Sequence, residues 1–253
     1  MKKKYCFFDI DNTLGLDISA IIPADTLYCL RRLRQQGHFI AIATGRLQHD
    51  AYEFATRYDI HSLVADGGNS ITIDDKLLSM EGLPLDNCKA LLRDLTARNI
   101  PWAVVTDNTL NRYTPYDTFP CSDPKNYMKT VVQPVDIDAL SVVYKITYAA
   151  PTDGSIPATA HDLPYLTYLD DTHLVEPMDK SKGIFAMMEQ LHADPSDVIV
   201  FGDGLNDITM FRKPFYSVAM GNAKPELKAV ADYITDDNDK GGILHACMHL
   251  ELL

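Results

Sequence analysis

Positive charge is scarce in this sequence. Its 253 residues carry 23 lysines and arginines against 35 aspartates and glutamates, a formal net charge of -12 at pH 7. A field of that sign repels polyanions, so a nonspecific grip on nucleic acid or an anionic membrane surface is disfavoured. Cysteine is also sparse. The five cysteines (Cys6, Cys29, Cys88, Cys121, Cys247) are odd in number and contain no CxxC pair, which fits neither a disulfide framework nor a zinc knuckle. A reducing, cytoplasmic home is the expectation. Long hydrophobic runs are missing too: nowhere do about 18 apolar residues follow one another, so no membrane span is predicted. Met1-Lys2-Lys3-Lys4 imitates the basic start of a signal peptide, but the apolar run Tyr5 to Phe8 stops at Asp9, short of the roughly 7 to 15 residues such a leader needs. There is no internal repeat and no low-complexity segment.

What is present is ordinary globular composition, 46% hydrophobic and 23% charged, which excludes a wholly disordered or fibrous chain. At roughly 100 to 200 residues per domain the length allows one large or two ordinary domains. Tyr5 to Phe8 is an apolar run without alternation, as expected of a strand buried on both faces of a parallel sheet. A helix from about Ala24 follows, with Leu27, Leu30 and Leu33 on one stripe and Gly37 as its stop. Phe39 to Ala43 reads as a strand, Leu47 to Tyr58 as a helix and Ser62 to Ala65 as a third strand, the βαβαβ signature of an open parallel sheet.

From about Gly82 the rhythm changes. A helix through Leu85 to Arg98 and a strand at Trp102 to Thr106 lead into a stretch punctuated by Pro115, Pro120, Pro124 and Pro134. Val142 to Ala149 alternates as a half-buried strand should, and Tyr165 to Leu169 with His173 to Val175 reads as a closing hairpin. After Pro177 the first rhythm resumes: a helix at Lys182 to Leu191, a strand at Val198 to Phe201, a helix near Asp207 to Phe211, a strand at Ser217 to Met220, and helices at Pro225 to Ala231 and Gly242 to Leu250. The pattern predicts an α/β core, residues 1–81 and 178–253, interrupted by an inserted α+β module at 82–177.

Four groups of chemistry-bearing residues fall at predicted strand ends or helix starts on one side of that sheet, where open α/β sheets bind ligands. Asp9 and Asp11 follow the first strand. One carboxylate there could attack while its neighbour moves protons or helps to bind a metal. Gly202-Asp203-Gly204-Leu205-Asn206-Asp207 follows the strand Val198 to Phe201, and its two acids could complete an all-oxygen site for a hard cation such as Mg²⁺. Thr44-Gly45-Arg46 ends the second strand with a hydroxyl, backbone amides and a guanidinium, all anion ligands. Lys182, at a helix start after Asp179 and Ser181, could bring a compact positive charge to the same anion. Singly, each has a plain alternative: Asp-rich loops are usually turns, Thr44 a helix cap, Lys182 a solvated helix start.

In that order, Asp9-Ile10-Asp11-Asn12-Thr13-Leu14, Thr44-Gly45-Arg46, Lys182-Gly183 and Gly202 to Asp207 resemble the four signature motifs of the haloacid dehalogenase superfamily. Ser217-Val218-Ala219-Met220-Gly221-Asn222-Ala223 and Gly241-Gly242-Ile243 narrow the resemblance to its Cof-type phosphatases, whose Rossmann-like core carries an inserted α/β cap. The resemblance implies a Mg²⁺-dependent phosphatase of small phosphometabolites, sugar phosphates among them, working through an aspartyl-phosphate. It implies Asp9 as nucleophile and Asp11 as acid and base. Thr44 and Lys182 would hold phosphoryl oxygens, with Gly45, Arg46 and Asn206 positioning substrate or loop. Mg²⁺ would rest on Asp203, Asp207, the Asp9 carboxylate and the Asp11 backbone carbonyl. A phosphomutase of the same superfamily and a noncatalytic phospho-acceptor are the alternatives.

One departure stands out. The family commonly carries an Asn-Gly pair after the third strand, whereas this chain has Asp66-Gly67-Gly68-Asn69, an extra acid expected near the site. His245 and His249, spaced i, i+4 around Cys247, have no further ligand and read as an ordinary surface pair rather than a zinc site. Trp102 reads as packing, with a sugar-stacking role as the alternative. Arg112, Tyr113 and Tyr116 fall where the inserted module would contact a substrate.

Overall fold

The computed structural model describes residues 2–17, 21–119, 128–151, 154–169 and 171–253. Pro120, Cys121 and Pro124, singled out above, lie outside them. In chain order the strands are β1 Tyr5–Phe8, β2 Phe39–Ala43, β3 Leu63–Ala65, β4 Ser70–Ile73, β5 Lys76–Met80, β6 Trp102–Val105, β7 Asn111–Thr114, β8 Lys129–Val132, β9 Lys145–Ala149, β10 Tyr165–Leu169, β11 Thr172–Val175, β12 Val198–Gly202, β13 Tyr216–Ala219 and β14 Tyr233–Ile234. The helices are α1 Ala24–Gln35, α2 Gln48–Arg57, α3 Leu85–Ala97, α4 Lys180–Gln190, α5 Pro225–Lys228 and α6 Gly242–His249. The chain divides into two compact units, Met1–Met80 with Met178–Leu253, and Glu81–Pro177.

The first unit is built on an eight-stranded sheet in the order β14-β13-β12-β1-β2-β3-β4-β5. All pairings from β14 to β3 are parallel. The α/β core expected from the sequence is therefore present. Sheet strands buried on both faces need unbroken apolar sequence, and β1 and β12 supply it: Cys6, Phe7, Phe8, Val200 and Phe201 are all inaccessible to solvent. Each large side chain so buried contributes about 1.5–3 kcal/mol relative to exposure. Strand order reverses between β1 and β12, since β2 and β3 extend from one side of β1 and β13 and β14 from the far side of β12. That reversal opens the crevice in which doubly wound sheets hold ligands. Asp9 leaves β1 there with its amide on the Phe201 carbonyl (3.0 Å).

The hairpin of β4 and β5 was not expected. It adds to β3 in antiparallel fashion, turning at Asp74 and Asp75, both in the left-handed region (φ 47° and 65°). Two consecutive left-handed residues make the tight reversal that strand twist favours.

The second unit carries a six-stranded sheet in the order β10-β11-β9-β6-β7-β8. It is antiparallel except where β7 meets β8. One face packs on α3 through Cys88, Leu91, Leu92 and Leu95 against Trp102, Val104, Ile146 and Tyr148. β7 and β8 were not expected either. Among the described residues no helix is long and apolar enough to cross a membrane, and Cys6, Cys29, Cys88 and Cys247 are buried and unbridged.

Candidate active site

The crevice brings three acids together. Asp9 after β1, and Asp203 and Asp207 after β12, offer carboxylate oxygens that all lie within 4.8 Å of one another. The turn after β12 makes this approach feasible. A Cβ at Gly202 would lie 2.6 Å from Asp207 Oδ2, so only glycine lets that carboxylate fold back onto the strand end. There Asp207 Oδ2 accepts the backbone N–H groups of Asp203 (2.9 Å) and Gly204 (3.0 Å). Asp203 Oδ1 accepts the Thr13 hydroxyl (3.0 Å).

Uncompensated buried carboxylates are costly, and a lysine answers part of that cost. Lys180, the first residue of α4, is 1% exposed; its ammonium lies 2.6 Å from Asp9 Oδ1 and 2.5 Å from Asp207 Oδ1. Burial alone would depress its pKa, but the two carboxylates raise it above the ordinary lysine value, so it stays charged. Burial pushes the Asp9 carboxyl well above the usual range; Lys180 opposes that shift, while Asp207 and Asp11 add to it. Asp203 is pushed up to about 6 by burial and then by Asp207. Three carboxylates and one ammonium, -3 and +1, leave a formal excess of two negative charges. That excess and an all-oxygen donor set fit a hard divalent cation such as Mg²⁺.

Lys182, which the sequence pointed to, is not the lysine at Asp9. Its amine donates to Asn69 Oδ1 (3.1 Å) and the side chain is exposed. Helical periodicity separates the two lysines. Lys180 shares the buried stripe with Ile184, Met187 and Met188, at i, i+4, i+7 and i+8, whereas Lys182 falls off that stripe. Asp179 starts the helix by accepting the N–H groups of Ser181 (3.1 Å) and Lys182 (3.3 Å), which places Lys180 at its first position. Gly183 then presses α4 close to the sheet: a Cβ there would meet Val64 Cγ1 at 2.4 Å and the Gly68 carbonyl oxygen at 2.7 Å.

On the other side of Asp9, Arg46 grips Asp11 at two points, Nε to Oδ2 (3.0 Å) and Nη2 to Oδ1 (2.5 Å), and reaches Asp50 Oδ2 with Nη1 (3.1 Å). Burial works against its charge, but Asp11 and Asp50 outweigh burial and raise its pKa. Three of its five N–H donors thus go to two carboxylates. Thr44 ends β2 beside β1; it is buried and its hydroxyl accepts the Arg46 N–H (3.2 Å). Gly45 links them, and Asn206 stands exposed on the turn that carries Asp207.

Asp66 lies beside the site, its backbone N–H donating to the Arg46 carbonyl (2.9 Å). It is 1% exposed, and its Oδ2 accepts the Gln48 N–H (3.2 Å) at the start of α2, where a carboxylate satisfies an otherwise open helix donor. His245 pairs with Asp236 (2.7 Å) and His249 stacks on Tyr233 at 4.2 Å between centroids. Trp102 is buried, with Nε1 donating to Thr96 Oγ1 (2.9 Å) and its ring against Tyr116. It is packing, and it leaves no face for a sugar. Tyr113 donates its hydroxyl to Asp107 (2.6 Å) and, with Val104, Gln133 and Leu140, lines a cleft of about 400 Å³ within the second unit. Arg112 donates from Nε to Thr130 Oγ1 (2.8 Å).

Comparison with known proteins identifies the family and the fold. The sequence profile of the haloacid dehalogenase-like hydrolases matches residues 6–247. A relative from Bacillus subtilis (strain 168), named "Putative phosphatase YkrA", is 28% identical over 258 residues, covering all of both chains. The phosphoglycolate phosphatase of Nitrosopumilus maritimus (strain SCM1) is 27% identical over 247 residues, covering 97% of this chain and 95% of the relative. Among solved structures, a hypothetical protein of Geobacillus kaustophilus HTA426 superposes with a TM-score of 0.89 at 29% identity, covering both chains completely.

Proposed function

The chain belongs to the haloacid dehalogenase-like hydrolases and is a phosphatase, and on that premise we propose that it hydrolyses the phosphate monoesters of small metabolites through a phosphorylated Asp9 with the help of Mg²⁺. The observation that carries this reading is the buried Lys180 ammonium bridging Asp9 and Asp207 beside Asp203. In this scheme Lys180 takes the part the sequence suggested for Lys182.

With Asp9 Oδ1 held by Lys180, Oδ2 attacks phosphorus. The new P–Oδ2 bond forms as the ester P–O bond breaks, and the Asp11 proton passes to the departing oxygen. A water molecule then attacks the same phosphorus and gives its proton to Asp11. The P–Oδ2 bond breaks, inorganic phosphate leaves, and both aspartates are restored. Phosphoryl transfer needs mainly positioning and charge neutralisation. Lys180 supplies one positive charge, and Thr44 with the Gly45 amide supplies donors to the phosphoryl oxygens. Arg46 enters through Asp11, whose carboxylate it orients and one oxygen of which it must yield for proton transfer. Mg²⁺ held by Asp9, Asp203 and Asp207, with the Asp11 carbonyl, would neutralise charge on the transferring group.

Residues 81–177 are assigned the choice of leaving group, because the catalytic groups named here reach no further than the phosphoryl group and the ester oxygen that departs. A panel of phosphometabolites scored for free phosphate, with Asp9→Asn as control, tests the proposal. Release from at least one metabolite, absent in the variant, is expected. Equal release by the variant would refute it, and transfer to a second hydroxyl without free phosphate would make the protein a mutase.

A further inference from the structure

The segment that follows the two catalytic aspartates is held by residues from the other end of the chain. Asn12 sits in the left-handed region (φ 57°, ψ 9°), an uncommon conformation for a side chain larger than glycine. The turn it makes separates Asp11, held by Arg46, from Thr13, which donates to Asp203. Its carbonyl oxygen accepts Nδ2 of Asn222 (2.9 Å). Asn222 Oδ1 in turn accepts the backbone N–H of Asn238 (3.0 Å), and Asn238 Nδ2 donates to the carbonyls of Gly15 (2.8 Å) and Leu16 (3.3 Å). Asn238 is 6% exposed while Asn222 is exposed. Two amides, each used at both ends or twice at one, thereby tie the carbonyls of Asn12, Gly15 and Leu16 to the loops that follow β13 and β14.

We propose that Asn222 and Asn238 are positioning residues that set the Asp11 carboxylate for proton transfer by fixing the left-handed turn immediately after it. The inference rests on the acid and base role given to Asp11 above. Arg46 fixes the carboxylate from one side, but a side chain is placed only as well as its backbone. Nothing else named here bonds the Asn12 carbonyl. Without the Asn222 donor the turn can relax, and misplacing a reacting group by about 1 Å costs on the order of 10²-fold in rate. Substrate binding should be spared, because neither asparagine donates to a proposed phosphoryl ligand.

The test is a double-mutant cycle between Asn222→Ala and Asp11→Asn, read as radiolabelled phosphate release from an alkyl phosphate ester, whose departing oxygen needs the Asp11 proton. Asn222→Ala alone should lower kcat by roughly 10- to 100-fold with KM and melting temperature unchanged. In the Asp11→Asn background the same substitution should cost less than about threefold, because a clamp that acts through the Asp11 carboxylate has no proton donor left to position. Asn222→Asp keeps the acceptor for Asn238 and removes the donor to Asn12, so it should reproduce the kcat loss in a protein whose fold is undisturbed. Equal losses in both backgrounds, or wild-type kcat in both Asn222 variants, would overturn the clamp. No loss on Asp11→Asn itself would instead remove the role of Asp11 on which the clamp depends.

Discussion

Lys180 Nζ lies 2.6 Å from Asp9 Oδ1 and 2.5 Å from Asp207 Oδ1, with all three side chains buried. A buried ion pair contributes little to stability by itself, because desolvation consumes most of the Coulombic gain. Removing one member is another matter, since the carboxylates left behind are unpaired in a low-dielectric crevice. The triad is therefore better explained by chemistry than by stability, as a fixed positive charge beside the oxygen that would attack phosphorus.

The two lysines near the start of α4 should separate cleanly. Lys180→Met should reduce phosphate release by at least about 10²-fold, the scale on which single preorganised charges act. Lys182→Met should keep kcat within about threefold of wild type, since its amine engages Asn69 and not Asp9. Steady-state kinetics of the purified variants decide it; the reverse ranking would restore Lys182 to the site.

Why the sequence misled at this position is physical. Lys182 adjoins Gly183 and so matches the short Lys-Gly motif, while Lys180 stands two residues earlier across Ser181, and only the register of α4 singles Lys180 out. That register is readable in Ile184, Met187 and Met188, which place Lys180 on the buried stripe. The parallel strands were legible because burial on both faces demands unbroken apolar runs such as Tyr5 to Phe8, and the acids because they sit directly after those runs. The β4 and β5 hairpin was not, since Leu77 and Leu78 lie exposed on an edge strand and its turn uses two aspartates in place of glycine. That Asp66 lies near the site was legible from its place after the third strand, but its bond to the start of α2 was not, because a carboxylate that caps a helix through tertiary contact looks the same in sequence as any other acid there.

Metal dependence should be visible without turnover. Mg²⁺ added to the chelator-treated protein should raise its melting temperature in a saturable way, about 2.7 kcal/mol of stabilisation at 100 times Kd. Asp203→Asn should weaken the effect and Asp207→Asn should also disturb Lys180. A melting temperature indifferent to Mg²⁺ in the wild type would contradict the proposed ligand set.

Acid should loosen the first unit at a defined place. The Lys2 ammonium, and after it Lys4, hold the Asp197 carboxyl below the usual carboxylate range although burial opposes them. A depressed folded-state value stabilises the fold above the unfolded pKa of about 3.9 and loses that contribution as pH falls through the folded value. Asp197→Asn should thus melt slightly below wild type at pH 7, with the gap closing below about pH 4. The gap should be small, because Lys2 is largely exposed. A gap that stays constant with pH would assign the effect to packing.

The two aspartates after β1 should fail differently. Asp11→Asn should retain the nucleophile and lose about 10² to 10⁴ in rate on substrates with basic leaving groups, and less on p-nitrophenyl phosphate. Equal losses on both kinds of ester, measured as kcat/KM, would argue against Asp11 as the proton donor.

The central claim is that Asp9 carries the phosphoryl group, and acid quench of the enzyme during turnover of a radiolabelled phosphate ester addresses it directly. The account predicts an acid-stable, hydroxylamine-labile label on the peptide that contains Asp9, accumulating in Asp11→Asn and absent from Asp9→Asn. Label on another residue, or turnover by Asp9→Asn at the wild-type rate, would contradict it.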